Sequence, residues 1–288
     1  MKSNRAVRVV LGLVVLVLFG AYLYLRASSS PHSDDVGKPA DTGLISLAET
    51  PAPSETPAPT ATPAPTVDPA SPEGKAAALG LPKPPDIDVT EWQYMLVNAA
   101  HSIDEYAPES LAYLNQTADE TDIQYSYNGN RCPVDSRIAD ALMSMALGCK
   151  EAGLPIFLSS GYRSYSDQAA NFQRVCANNG ISDGKDSQGY YITMPAGCSE
   201  HQTGLCCDIT DRYWEIKSAK TGDTDTFRWL EANCAQYGFI LRFPDGKGEL
   251  TGVMYEPFHF RYVGVEAATY ITENKLCLEE FLALYGVE

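Results

Sequence analysis

The sequence predicts an α+β domain with a small, largely antiparallel sheet and flanking helices. Hydrophobic residues recur at helical spacing over residues 135–152, and four shorter apolar runs have the length and composition of strands. The predicted strands cover residues 156–159, 205–210, 239–243 and 258–263. Because the predicted helices precede and interrupt these strands rather than alternating strictly with them, the pattern favours an α+β fold.

Helices are predicted on both sides of the first strand. The helix over residues 135–152 has one apolar stripe, formed by Ile138, Leu142, Met145, Ala146 and Cys149. One or two helices are predicted over residues 90–114, and another over residues 227–237. Ser164 or Ser166 is placed to cap a helix that follows the first strand.

The N-terminus has the pattern of a membrane anchor. An uncharged run over residues 9–25 follows three basic residues and precedes Arg26. As a helix it would span about 26 Å, slightly less than the ~30 Å core of a bilayer, and arginine side chains at its ends can cover the difference. The excess of basic residues before the run predicts a cytoplasmic N-terminus. We therefore expect residues 1–26 to be a cytoplasmic tail and single-pass transmembrane signal anchor, with the domain that follows extracellular; a cleaved signal peptide is the alternative.

Residues 27–85 are rich in Pro, Ala, Thr and Ser, with a near repeat over residues 56–66. This composition cannot bury a hydrophobic core, and its spaced prolines favour extended polyproline II stretches. We therefore expect a disordered stalk over residues 27–85 and a folded domain over residues 86–288.

The net charge of the chain is −16. Residues 1–85 carry seven basic and seven acidic side chains, so the whole net charge belongs to the predicted folded domain. A strongly acidic domain is not expected to bind nucleic acid, and non-specific attachment to an anionic cell wall is also disfavoured. Recognition is therefore expected to depend on a shaped site.

All cysteines lie in the predicted folded domain, at positions 132, 149, 176, 198, 206, 207, 234 and 277. An exported domain can keep disulfides, but an even number of cysteines does not select a connectivity, and several could be buried thiols. We expect Cys176 and Cys198 to pair, because they bracket a glycine-rich excursion. Cys206 and Cys207 should not bond to each other, because adjacent strand residues point to opposite faces.

Two short segments supply the residues of a hydrolytic zinc site. The first contains His201 and Asp208, and the second contains Glu256 and His259. Catalytic zinc usually takes three protein ligands from His, Asp and Glu and keeps one position open for water, whereas structural zinc is closed by four ligands, mostly Cys. The two histidines and Asp208 fit the open pattern. Glu256 is then left over as a base.

The strand pattern determines which of these groups can face one ion. In the predicted strand over residues 258–263, His259 lies on the polar face. Glu256 has the opposite parity, so it reaches the same face only if the chain bends, and Pro257 is placed where a bend or bulge is plausible.

A rival hypothesis is a closed structural zinc site that uses Cys198, His201, Cys206 and Cys207. It is disfavoured because Cys206 and Cys207 are adjacent in a strand and cannot easily bind one ion. In the open set, Gly204 permits the turn that folds His201 back beside Asp208. The remaining nearby carboxylates are interpreted as solvated charges: Glu200, Asp211 and Glu249.

Several motifs around these residues occur in a characteristic order. They are Leu96-Val-Asn98, Val134-Asp-Ser-Arg137, Ser160-Gly-Tyr-Arg163, Ser199-Glu-His-Gln-Thr-Gly204 and Tyr262-Val-Gly264. This order resembles the VanY-type D-alanyl-D-alanine carboxypeptidases, zinc peptidases that trim D-amino acids from peptidoglycan stem peptides. The resemblance covers essentially the whole C-terminal domain. It departs from the family at Cys206-Cys207 and at Phe258, which flank ligands without replacing one.

The resemblance implies a hedgehog/DD-peptidase-like fold and a metal site with Zn²⁺ bound by His201, Asp208 and His259. Glu256 would be the catalytic base. It further implies a D,D-carboxypeptidase that removes the terminal D-Ala from peptidoglycan stem peptides. The alternatives are an L,D-carboxypeptidase or peptidoglycan endopeptidase with the same zinc site, or a non-catalytic module that binds cell-wall peptides.

The resemblance also implies a substrate pocket next to the metal. Arg163 would bind the free C-terminal carboxylate of the substrate or stabilise a developing oxyanion through paired hydrogen bonds. Gln168 and Ser199 match positions that line the pocket in similar proteins.

Overall fold

The computed structural model of the protein describes residues 67–115, 124–125, 131–212 and 217–287. The predicted transmembrane anchor and most of the predicted stalk lie outside these residues. Among the helices that are described, none is long and apolar enough to cross a membrane.

The described residues form seven strands arranged in two sheets. The strands are β1 (Leu111–Asn115), β2 (Gln124–Tyr125), β3 (Arg131–Asp135), β4 (Phe157–Ser160), β5 (Cys206–Thr210), β6 (Phe239–Phe243) and β7 (Glu256–Tyr262). The larger sheet has the order β2-β4-β5-β7-β6, and β1 pairs with β3 in a separate antiparallel ribbon. In the larger sheet only the β2–β4 pairing is parallel.

Seven α-helices flank the sheets in the described part of the chain. They are α1 (Pro72–Ala78), α2 (Ala139–Glu151), α3 (Tyr165–Asn179), α4 (Asp225–Asn233), α5 (Gly248–Thr251), α6 (Val265–Glu273) and α7 (Leu278–Leu284). Short 3-10 turns precede or extend several of them. The mixed α+β class with a small, largely antiparallel sheet is confirmed.

One face of the larger sheet packs against α2 and α4. The predicted apolar stripe of α2 is buried there, with Leu142 and Met145 fully enclosed, and it contacts Leu158, Ile209 and Phe260 of the sheet. A second apolar cluster joins α1, α6 and α7 to the edge of the sheet. The opposite sheet face, between these clusters, is left for polar residues.

The prediction of helices over residues 90–114 is wrong. The structure has only a 3-10 turn at Trp92–Tyr94, and the segment ends in strand β1. Strand β1 is stabilised by antiparallel pairing with β3, from Leu111 opposite Asp135 onward, and such long-range pairing overrides a local helical pattern.

The folded part of the chain begins earlier than residue 86. Helix α1 lies within the predicted stalk, where Ser71 caps its first turn. Ala76 is completely buried, and Lys75 Nζ donates a hydrogen bond to the carbonyl of Ala283 near the end of α7, at 3.1 Å. A locally proline-rich composition therefore conceals a helix that is held by tertiary contacts.

All eight cysteines are free thiols in this structure. The predicted disulfide between Cys176 and Cys198 is therefore not formed. Cys206 and Cys207 point to opposite faces of β5, as expected, and the Sγ atom of Cys207 lies 3.6 Å from Cys132 Sγ in the apolar core.

Glu200 is completely enclosed rather than solvated, and this corrects the sequence interpretation. Its Oε1 atom accepts hydrogen bonds from Arg242 of β6 and Arg261 of β7, both at 2.7 Å. Arg242 also forms a paired contact with Glu279 of α7, at 2.6 and 2.8 Å, while Arg261 donates to main-chain carbonyls. This ionic cluster cannot be recognised from sequence because its members are far apart along the chain.

The ionic cluster predicts a large cost for removing one cation. Replacing Arg242→Met should lower the free energy of unfolding by ~3–5 kcal/mol, because the buried Glu200 then loses one of its two cationic partners and the half-buried Glu279 loses its arginine. The control Arg228→Met removes an exposed ion pair with Asp225 and should cost less than ~1 kcal/mol. Urea denaturation measures both values, and equal, small effects would contradict the role given to the cluster.

Candidate metal centre

Strands β5 and β7 bring Asp208 and His259 directly opposite each other. Residues paired in this way project to the same face of the sheet, here the polar face. Strand β4 is bulged between Leu158 and Ser160, where it pairs with β5. The pairing of β5 with β7 therefore places His259 on the polar face, with Asp208 beside it.

His201 reaches the same point from a 3-10 turn, Glu200–Thr203, that precedes β5. Gly204 ends this turn with a φ of +71°, a left-handed conformation that favours glycine, and the chain then enters the strand. The Nδ1 atom of His201 lies 2.7 Å from the carbonyl oxygen of Gly161. If Nδ1 donates to this carbonyl, the lone pair of Nε2 faces the site.

The two predicted histidine ligands converge on the carboxylate of the third, Asp208. Its Oδ1 atom lies 3.5 Å from His201 Nε2 and 3.2 Å from His259 Nδ1. Donor atoms bound at about 2.0–2.2 Å in a tetrahedral arrangement are themselves about 3.3–3.6 Å apart. Asp208 Oδ1 is also buried with no hydrogen-bond partner among the described residues. These residues therefore fit a divalent cation held between the two imidazoles and the carboxylate.

A fourth donor, Cys206, lies on the same face of β5 as Asp208. Its Sγ atom and one ring nitrogen from each of His201 and His259 all lie within 4.8 Å of one another. Burial raises the pKa of the Cys206 thiol, but the two imidazoles outweigh this effect and bring the pKa to about 6. Cys207 points away from these groups into the core, so the structure does not assemble the rival closed site.

Glu256 lies beside the metal-binding groups because β7 is irregular. Leu241 of β6 pairs with Phe260 of β7. Phe243, two residues further along β6, pairs with Glu256, whereas a regular register would pair it with Phe258. This distortion brings Glu256 Oε2 to 3.7 Å from His259 Nδ1, despite the opposite parity of the two residues. The pKa of Glu256 is raised to about 7, chiefly by burial and also by the charge of Asp208, while His259 acts in the opposite direction. A bound cation would also favour the carboxylate form.

The other ring nitrogen of His259 faces a buried carboxylate. Its Nε2 atom lies 3.4 Å from Glu200 Oε2, and Glu200 is in turn held by the two buried arginines. A carboxylate behind a histidine sets the orientation of the ring and leaves the other nitrogen for a metal. Glu200 was missed as a functional residue because its charge alone does not distinguish it from surface carboxylates.

Lys217 was also missed. Its Nζ atom lies 2.5 Å from Asp208 Oδ2 and 3.1 Å from Ser159 Oγ. Burial raises the pKa of Asp208, but Lys217 and the imidazoles outweigh it and hold the pKa well below its usual range. The second carboxylate oxygen is therefore neutralised by a lysine, while the first faces the imidazoles.

The predicted substrate-binding residues line one cavity with the metal-binding groups. This cavity has a volume of about 650 Å³, and Arg163, Gln168 and Ser199 contribute to its wall. Arg163 donates to Gln168 Oε1 at 2.6 Å and to Ser160 Oγ at 3.1 Å. Gln168 is itself buried and donates to the carbonyl of Met194. The guanidinium is thus held in a fixed orientation at the cavity wall.

Comparison with known proteins gives a consistent family assignment. The family model for D-alanyl-D-alanine carboxypeptidase, VanY, matches residues 131–265. A D-alanyl-D-alanine carboxypeptidase of Enterococcus faecalis is 33% identical over 200 residues, which cover 68% of this chain and 67% of the relative. The matched regions span 65% and 67% of the length of the first two curated relatives.

Two solved structures have the same fold. The LdcB LD-carboxypeptidase is 32% identical, with a TM-score of 0.55 over 65% of this chain and 84% of that chain. A variant of the vancomycin resistance D,D-pentapeptidase VanY, from a VanB-type cassette and in complex with Zn(II), is 32% identical, with a TM-score of 0.52 over 67% of this chain and 99% of that one. The order of its motifs, the geometry of the candidate metal centre and these similarities agree, and the chain belongs to the VanY family of D-alanyl-D-alanine carboxypeptidases.

Proposed function

We propose that this protein is a zinc-dependent D,D-carboxypeptidase that removes the terminal D-Ala from peptidoglycan stem peptides. The proposal depends mainly on one observation: Asp208 Oδ1 is buried between two imidazole nitrogens, without a hydrogen-bond partner among the described residues. One of these imidazoles, His259, also lies 3.7 Å from the carboxylate of Glu256. A structural zinc site has no need of the extra carboxylate. Family membership supports the peptide substrate.

In this proposal His201, Asp208 and His259 hold the zinc ion. Zinc supplies Lewis acidity, which polarises a scissile carbonyl and makes water easier to deprotonate at neutral pH. Glu200 keeps the ring of His259 in place, and Lys217 keeps the carboxylate of Asp208 ionised and oriented.

Glu256 acts as the general base and then as the general acid. It takes a proton from the attacking water and returns it to the nitrogen of the leaving D-Ala. Its position suits both roles, because its carboxylate lies 3.7 Å from the proposed ligand His259 and so beside the site where water would be activated.

Arg163 provides the cation for an anionic substrate. The Arg163 guanidinium is held by Gln168 and Ser160 at the wall of the cavity, so it can donate hydrogen bonds to a substrate carboxylate in a fixed orientation. This arrangement favours peptides with a free C-terminus. Ser199 lies at the same wall as a further polar contact.

A second candidate is cleavage of an L,D bond by the same groups. It is favoured by the likeness to the LdcB LD-carboxypeptidase, whose fold and identity are as similar as those of the D,D-enzyme. Mass spectrometry of defined tri-, tetra- and pentapeptide stems after incubation with the protein separates the two. Loss of one D-Ala from the pentapeptide supports the D,D assignment, and loss of D-Ala from the tetrapeptide supports the L,D assignment.

We also propose that residues 1–26 anchor the protein in the cell membrane and place the catalytic domain outside. The support is the uncharged run over residues 9–25 and the basic residues before it. The proline-rich segment that follows would act as a spacer between the bilayer and the domain.

Zinc content should depend on the two histidines. His201→Ala and His259→Ala should each lose most bound zinc, because each removes one of three ligands, whereas His101→Ala should keep one zinc per chain. Elemental analysis after dialysis measures this difference. Full occupancy in both ligand variants would overturn the proposed metal site.

Replacing Glu256→Gln should preserve zinc and peptide binding but lower turnover by ~10²–10⁴-fold, because the amide keeps the shape and loses the basicity. Glu249→Gln, a change in an exposed carboxylate of α5, is the matched control and should leave turnover unchanged. D-Ala release from a pentapeptide stem reports both. Parent-like turnover in Glu256→Gln would mean that the base has been wrongly assigned.

Arg163→Ala should weaken cleavage of stem peptides with a free carboxylate by about 10–100-fold, the loss expected for a hydrogen bond to a charged group. The same variant should affect C-terminally amidated peptides much less. The comparison of kcat/KM for the two substrates gives the result. An equal loss for both would show that Arg163 does not bind the terminal carboxylate.

A further inference from the structure

The metal centre has one donor more than the three-ligand site requires. Cys206 is completely buried, and its side chain lies on the polar face of β5. It contributes to a triad with His201 and His259 in which the donor atoms all lie within 4.8 Å of one another. The thiol therefore lies beside the position that the two imidazoles define.

The position of Cys206 follows from the register of the sheet. Side chains two positions apart in a strand face the same side, so Cys206 and Asp208 share one face of β5. Cys206 is paired with Arg261 of β7, and Asp208 with His259. The backbone thus holds the thiol next to the metal-binding groups and does not depend on a flexible loop.

The neighbouring cysteine shows that this environment is specific. Cys207 faces the opposite side of β5, where its Sγ atom contacts Cys132 among apolar residues. A thiol in an apolar core behaves as a small hydrophobic group. Cys206, in contrast, is surrounded by imidazoles.

We propose that Cys206 is an additional protein ligand of the metal ion, so that the donor set is two histidines, one aspartate and one thiolate. On binding, the S–H bond breaks, a sulfur–metal bond forms, and the proton is released to solvent. No oxidant or reductant is required. A thiolate binds zinc at about 2.3 Å, slightly farther than an imidazole nitrogen.

This proposal rests on the proposed zinc site and changes its character. A thiolate adds negative charge and a soft donor, which increases affinity for zinc and lowers its Lewis acidity. Because catalytic zinc sites can accept a fifth ligand, the thiolate does not exclude the water that the reaction needs. Loss of the thiolate should weaken zinc binding at least about tenfold, since even residues that only support a ligand contribute that much.

Substitution of cobalt(II) for zinc provides a readout that is independent of turnover. The full-length protein is stripped of metal and titrated with Co²⁺ alone under reducing conditions. Thiolate coordination gives a strong sulfur-to-cobalt charge-transfer band in the near ultraviolet, which oxygen and nitrogen donors do not give. Cys206→Ala and Cys206→Ser remove the sulfur with small side chains. Cys198→Ala removes another thiol from the wall of the same cavity and serves as the matched control.

The expected result is a charge-transfer band in the parent protein and in Cys198→Ala, its loss in both Cys206 variants, and weaker zinc binding by these variants in competition with a chelator. A parent protein that binds cobalt without this band, or a band that persists in Cys206→Ala, overturns the proposal and leaves the three-ligand site intact. Failure of the parent to bind either metal overturns the thiolate ligand and the proposed function together.

Discussion

The pairing of Glu200 with two buried arginines is the interaction on which the rest of the structure depends. Charges are costly to bury, and this carboxylate is tolerated because Arg242 and Arg261 both donate to one of its oxygens. The arginines belong to adjacent strands, and Arg242 also binds α7 through Glu279. One cluster therefore joins the turn before β5, two strands and a C-terminal helix.

The same carboxylate connects the scaffold to the chemistry. The oxygen of Glu200 that the arginines leave unused lies near His259, and the neighbouring residue in the chain is His201. A change in the ionic cluster would therefore displace two of the proposed metal ligands at once. The protein uses electrostatic stabilisation of its fold to position these proposed ligands.

Local patterns were sufficient to predict much of the domain. The period of the apolar stripe gave α2, short apolar runs gave the central strands, and strand parity placed His259 on the polar face. Convergence of Glu200 with its arginines could not be predicted, nor could the contact of Lys217 with Asp208, because these depend on residues that approach only after the sheet has formed. Strand β1 and helix α1 were missed for the same reason: their partners, β3 and α7, lie far away in sequence.

The irregular pairing of β7 constrains how this chain can change. Between Glu256 and Phe260 the strand accommodates two more residues than β6, and within this irregular segment a glutamate and a histidine of opposite parity lie close together. Substitutions within the segment can keep that geometry if they keep its length. Removal or addition of a single residue would rotate one of the two side chains to the apolar face, where a carboxylate or an imidazole has no partner. The number of residues between these two groups is therefore as much a part of the active site as the groups themselves.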